Sequence, residues 1–194
     1  QVETAQAELL KLTAEDKSKS LGQKPWYPRV WVLLAETYFR QKKYKEVAET
    51  VDRFRNWDPD SQFLYQAQEV LGRSLKNQAK FDEARKVFQQ IIDSENGRRT
   101  ATAAKCQFLL AETLMIQEKF KDALLAYLQV NIQYQFPEWQ APALYQAAMC
   151  HEALNEWPQA QKTYQDYLKR FPEHELVPQA KERLKAVAAR IGKN

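Results

Sequence analysis

Glycine, histidine and cysteine are all scarce in this sequence, and each shortage removes a class of function. Glycines stand only at 22, 72, 97 and 192, so neither a G-x-G-x-x-G dinucleotide turn nor a P-loop can be built. The two histidines, His151 and His174, and the two cysteines, Cys106 and Cys150, form no H-E-x-x-H or C-x-x-C motif. Carboxylate pairs such as Asp82-Glu83 fall on surface turns with nothing to raise a pKa. The chain is therefore read as a non-enzyme, with no catalytic, metal-binding or cofactor-binding residue assigned. Long apolar runs are missing too. The longest, Val30 to Ala35 and Ala123 to Leu128, fall far short of the ~20 residues of a membrane-spanning helix. The charge excess is slight, +4 over 194 residues, and dispersed. Lys42, Lys43 and Lys45, and Lys181, Arg183, Lys185 and Arg190, read as solvated faces favoured near helix C-termini. Nucleic-acid binding, which wants basic residues gathered on one face, is the weaker reading.

What the sequence does have is period. Trp31, Leu34, Ala35 and Tyr38 recur at helical spacing, Gln41-Lys42-Lys43 interrupts them, and Tyr44, Val47, Val51 and Phe54 resume. Asp58-Pro59 ends the second run, because proline has no amide proton and biases the residue before it away from the helix. Such short helices are not stable alone, so a hairpin of this kind needs neighbours. The sequence supplies them. A small residue at the close crossing of each hairpin falls at Val47, Ala84, Ala123 and Ala160, at intervals of 37, 39 and 37 residues. The first helices read Leu34-Ala35-Tyr38, Leu71-Gly72-Leu75, Leu110-Ala111-Leu114 and Ala147-Ala148-His151, and the second helices open on Tyr44, Phe81, Phe120 and Trp157.

This pattern resembles the tetratricopeptide repeat, whose period is about 34 residues. The resemblance implies an all-α fold, a right-handed α-α superhelix of about four hairpins, as a single solenoid domain over residues 1–194. Its repeats are expected at 30–59, 61–97, 101–137 and 141–172, with a capping helix at 178–191. Residues 1–16 place Ala5, Leu9 and Leu12 as a second helix without its first, which is read equally as a partial repeat or an N-terminal cap. Lys17 to Pro28 is a linker whose Trp26-Tyr27 covers the first hairpin's edge or faces a partner. Pro142 and Pro158 are expected at first helical positions, and Gly97 after the second unit is available for a left-handed helix stop. The third unit is expected to run into a turn, Gln135 to Trp139, two residues longer than standard. Cys106 and Cys150, about 10 Å out of axial register at 1.5 Å per residue, are expected as buried free thiols, and His151 as a packed histidine. The chain opens on Gln1-Val2 without an initiator methionine and is read as a fragment or processed form, so an upstream signal peptide or lipid anchor would not show.

Segments Ala123-x-x-x-Tyr127, Gln135-Phe136-Pro137, Ala143-Leu144-Tyr145 and Tyr164-x-x-Tyr167-Leu168-Lys169-Arg170-Phe171-Pro172 resemble a bacterial cell-envelope branch of the family. That branch includes the periplasmic partner of TolA and lipoproteins of outer-membrane protein assembly. The resemblance implies a periplasmic or envelope location over a cytoplasmic one.

In the family, the second, fifth, ninth and twelfth positions of the first helices line a concave groove. Carried onto this sequence they are Arg29, Val32, Glu36 and Phe39; Gln66, Glu69, Arg73 and Lys76; Lys105, Phe108, Glu112 and Met115; and Tyr145, Met149 and Glu152, with Pro142 at the fourth unit's second position. Glu36 and Glu112 occupy positions where carboxylate-clamping members carry polar or basic groups. Apolar anchors among alternating charges suit an amphipathic helix or extended peptide. Some of these side chains are alternatively covered by their own neighbours. The function implied is a non-catalytic scaffold binding a protein or peptide. The alternatives are a regulatory or targeting domain of a larger enzyme, and an RNA-contacting repeat protein.

Overall fold

The computed structural model describes residues 2–14 and 19–192, and it is helical throughout, with no strand among the described residues. The ends of the expected N-terminal helix and linker, residues 1 and 15–18, lie outside the described residues. The chain divides into two compact units, 1–98 and 99–194. In the first, α1 (Val2–Leu12), α2 (Pro28–Arg40), α3 (Tyr44–Trp57), α4 (Leu64–Asn77) and α5 (Phe81–Asp93) follow one another. In the second, α6 (Ala101–Ile116), α7 (Phe120–Gln133), α8 (Pro137–Ala153) and α9 (Trp157–Arg170) precede α10 (Val177–Ile191). The pairs α2–α3, α4–α5, α6–α7 and α8–α9 are the four expected hairpins, and within each unit the hairpins pack on their neighbours.

The crossing residues are the ones the spacing singled out. Val47, Ala84, Ala123 and Ala160 are all fully buried, because only a small side chain lets two helix backbones approach there. On the partner helix of the second hairpin the demand is stricter. A β-carbon on Gly72 would lie 2.3 Å from Cε1 of the buried Phe88 ring. Each first helix ends the same way. Lys43, Lys80, Lys119 and Glu156 donate their amides back to Tyr38, Leu75, Leu114 and His151, a six-to-one closure that requires a left-handed residue just before. Lys42, Ala79, Glu118 and Asn155 fill that place with φ of 58–59°.

Three expectations are corrected. Gly97 is not left-handed, since no glycine here has positive φ. The end of α5 is closed instead by Ser94, whose Oγ donates to the Ile91 carbonyl at 2.9 Å and accepts the Gly97 amide at 3.0 Å. Glycine is needed there for room, because a β-carbon would lie 2.6 Å from the Ile91 carbonyl oxygen. Pro142 is inside α8 and not at its start, and the long turn before it does not exist, since residues 137–139 are already helical. Pro137 opens that extra turn, Gln140 Nε2 fixes it by donating to the Tyr134 carbonyl at 2.7 Å, and Trp139 packs 5.8 Å from Phe108. These contacts outweigh the one intrahelical bond that Pro142 forfeits.

The terminal helices pack on the hairpins beside them. On α1, the Leu12 carbonyl accepts from Tyr27 Oη at 2.7 Å, and Arg53 Nη2 donates to Thr13 O at 2.8 Å. Tyr27 is fully buried while Trp26 stays half exposed, so only one of the two linker aromatics covers the hairpin. At the other end Ala180 and Val187 bury α10 against the α8–α9 hairpin. Cys106 and Cys150 are buried and form no disulfide, and burial pushes the Cys150 thiol up to about 12. His151 packs with its Nδ1 2.6 Å from Glu156 Oε2.

Candidate functional site

The groove-position side chains fall on the first helices, and the two units use them differently. In the unit 1–98, α2 and α4 lie side by side, and the predicted residues find one another. Arg73 ion-pairs with Glu36 of α2 and, at 2.7 Å, with Glu69 one turn back on its own helix. Its guanidinium also sits 4.3 Å over the Phe39 ring. Arg40 adds a weaker contact to Glu36 at 3.5 Å. Burial alone would raise the Glu36 carboxyl, but the hydrogen bonds and charges of Arg73 and Arg40 hold it below its ordinary value. Burial opposes the charge on Arg73 too, and the two carboxylates reverse that and raise it. Glu69 is 6% exposed. Arg29 lies 5.0 Å over the Phe63 ring, Val32 packs on the core, and Gln66 donates to Tyr65 Oη at 3.4 Å. Lys76 is half-buried on the last turn of α4.

In the unit 99–194, α6 and α8 carry a more apolar face. Phe108, Met115 and Met149 are half-buried and pack against the core. Phe108 lies 5.4 Å from Tyr127, and Met115 Sδ is 3.6 Å from Cys150 Sγ. Lys105 reaches to 5.9 Å from the Trp139 ring, and Glu112 lies between Phe108 and Met115 on the same stripe of α6. Two predicted residues are committed to the fold. Tyr145 is 7% exposed, with Tyr164 and Tyr167 rings 5.8 and 5.9 Å away. Glu152 accepts from Tyr164 Oη and from Arg183 Nη1 of α10, the latter at 3.0 Å. Burial first, then the Glu152 charge, push the Tyr164 hydroxyl far up, so it stays a donor. Arg183 and Arg190, two of the basic residues that stud α10, are thereby engaged, Arg190 with the Trp157 ring at 5.8 Å.

Sequence reasoning missed two exposed apolar side chains on the outer side of α7. Leu125 is 63% and Ile132 80% exposed. Their seven-residue separation within the apolar third unit was the available signal. Among the described residues, no group of histidines, cysteines and carboxylates could hold a metal ion, and no helix is long and apolar enough to cross a membrane.

Against known protein families, residues 70–134 and 142–174 match tetratricopeptide repeat models. This chain carries tetratricopeptide repeats. The matched stretches run from Val70 within α4 to the end of α7 and from Pro142 within α8 to just past α9, and the hairpin α2–α3, outside them, has the same construction. No curated protein matches the sequence. Among solved structures, BtubC (BKLC) from P. vanneervenii is similar at 14% identity, covering 98% of this chain and 84% of that one, with a TM-score of 0.76. Nearly identical TPR-like repeats of a putative kinesin light chain from Podosopora anserina are similar at 14% identity, with coverages of 100% and 86% and a TM-score of 0.59. At that identity the likeness shows the fold, the all-helical repeat class expected from the sequence. The matched models are the repeat in general, and nothing in them supports the bacterial cell-envelope branch.

Proposed function

We propose that the chain is a non-catalytic protein-interaction module that holds a helix or extended peptide of a partner against the first-helix face of the unit 99–194. The observation that carries this is the row of half-buried apolar side chains, Phe108 and Met115 on α6 and Met149 on adjacent α8. Methionine adapts its shape to an incoming surface, and an aromatic beside it gives a rigid anchor. Glu112 within the row supplies a polar contact that can set the partner's orientation. Tetratricopeptide repeats in general mediate protein–protein contact, which agrees with this use of the face. In the unit 1–98 the corresponding positions are Glu36, Phe39, Glu69 and Arg73, which satisfy one another, so that face is offered as a secondary one.

The test is capture of partners on immobilised chain, comparing the natural sequence with Phe108→Ala/Met149→Ala. Truncating two half-buried anchors is expected to cost at least ~2 kcal/mol of binding. Partners held equally well by both proteins would show that the face is wrong.

A further inference from the structure

Six asparagines occur in the chain, and only Asn96 is followed by glycine. The pair stands in the turn of residues 95–99 that follows α5, near the end of the compact unit 1–98. Asn96 is exposed, and among the described residues nothing bonds its side chain. A following side chain obstructs the approach of an asparagine carboxamide to the next backbone nitrogen, and glycine has none. The fold demands glycine at 97 for a separate reason. A β-carbon there would lie 2.5 Å from Ser94 Oγ and 2.6 Å from the Ile91 carbonyl oxygen. The closure of α5 therefore brings a chemically labile pair with it.

The same closure restrains that pair. The buried Gly97 donates its amide to Ser94 Oγ at 3.0 Å, and Ser94 Oγ donates in turn to the Ile91 carbonyl at 2.9 Å. The Arg98 amide donates to the Ser94 carbonyl at 3.0 Å. A proton held in such a bond reaches solvent base only when the turn opens. We infer that Asn96 is a site of spontaneous deamidation, with Ser94 Oγ as the group that holds its rate down. When the turn opens, the Gly97 amide proton leaves to solvent base, the nitrogen bonds to Asn96 Cγ, and Nδ2 departs with a solvent proton as ammonia. Water then opens the cyclic imide at either carbonyl, giving aspartate or isoaspartate. Water enters and ammonia leaves, with no oxidant or reductant involved. A neutral carboxamide becomes a carboxylate ahead of Arg98 and Arg99, and the isoaspartate product carries one extra backbone carbon. The site does not depend on the Phe108–Met149 face.

The test ages the whole chain in mildly alkaline buffer and follows aspartate and isoaspartate at each asparagine by peptide mapping with electron-transfer fragmentation. Conversion at Asn96, with isoaspartate among the products, is expected well ahead of Asn77, which is equally exposed but ends α4 and precedes Gln78. Ser94→Ala should speed conversion at Asn96 by about fivefold, the worth of one ordinary hydrogen bond, towards the rate of the capped peptide Ser-Glu-Asn-Gly-Arg. Ser94→Thr keeps the hydroxyl and should leave the rate unchanged, and neither variant should alter Asn77. Conversion at Asn96 no faster than at Asn77, an unchanged rate in Ser94→Ala, Ser94→Thr as fast as Ser94→Ala, or equal acceleration at Asn77 would each overturn the inference.

Discussion

Gly72 on α4 lies directly under the Phe88 ring of α5, so close that a β-carbon on the glycine would stand 2.3 Å from Cε1. Phe88 is fully buried and cannot swing away without moving its neighbours. Gly72→Ala is expected to lower stability by about 1–3 kcal/mol, despite alanine's higher helix propensity. Adding Phe88→Leu should recover part of the loss, and thermal melts of the single and double variants would show it.

The left-handed residues that close the first helices make the opposite prediction. Alanine and lysine tolerate that conformation poorly, whereas glycine adopts it freely. Ala79→Gly is expected to raise stability by about 0.5–1 kcal/mol in chemical denaturation. Asn155→Ala, which removes a residue suited to the same conformation, should lower it.

Arg73 compensates the nearly buried Glu69 and the partly buried Glu36. Arg73→Met leaves two carboxylates without that cation and is expected to cost about 3 kcal/mol. Arg40→Ala, at an exposed pair, should cost less than about 0.5 kcal/mol. The Glu36 carboxyl is held below its ordinary value. Its contribution is therefore complete above the ordinary carboxylate range and is lost as pH falls below roughly 4. Glu36→Gln should flatten that part of the stability–pH curve, read by denaturant midpoints.

Glu152 ties α8 to Tyr164 of α9 and Arg183 of α10. Glu152→Ala should speed amide exchange across α10 by about tenfold, the equivalent of ~1.4 kcal/mol, while leaving α6 and α7 unaffected. Equal acceleration everywhere would mean that Glu152 acts on global stability.

The helices and their crossings were legible in the sequence because burial imposes a period, and Val47, Ala84, Ala123 and Ala160 all end up buried. The left-handed turns were not, since Lys42, Ala79 and Glu118 stand where glycine would have signalled them. Pro142 misled for a related reason, because proline marks a first turn only when nothing upstream stabilises another. The contacts of Trp139 and Gln140 do so here. Groove positions could be counted along the chain, but their occupancy could not. Glu36 and Arg73 hold the same position in adjacent first helices, and that pairing of opposite charges was the readable sign that they meet. Tyr145 and Glu152 gave no such sign, since their partners lie on second helices and the terminal helix.

Hydrogen–deuterium exchange of the chain, alone and with a partner retained on capture, tests the proposed role most directly. Protection of the segments of α6 and α8 that contain Phe108, Met115 and Met149 is the predicted result. Protection confined to α7, around the exposed Leu125 and Ile132, with α6 and α8 unchanged, would contradict it.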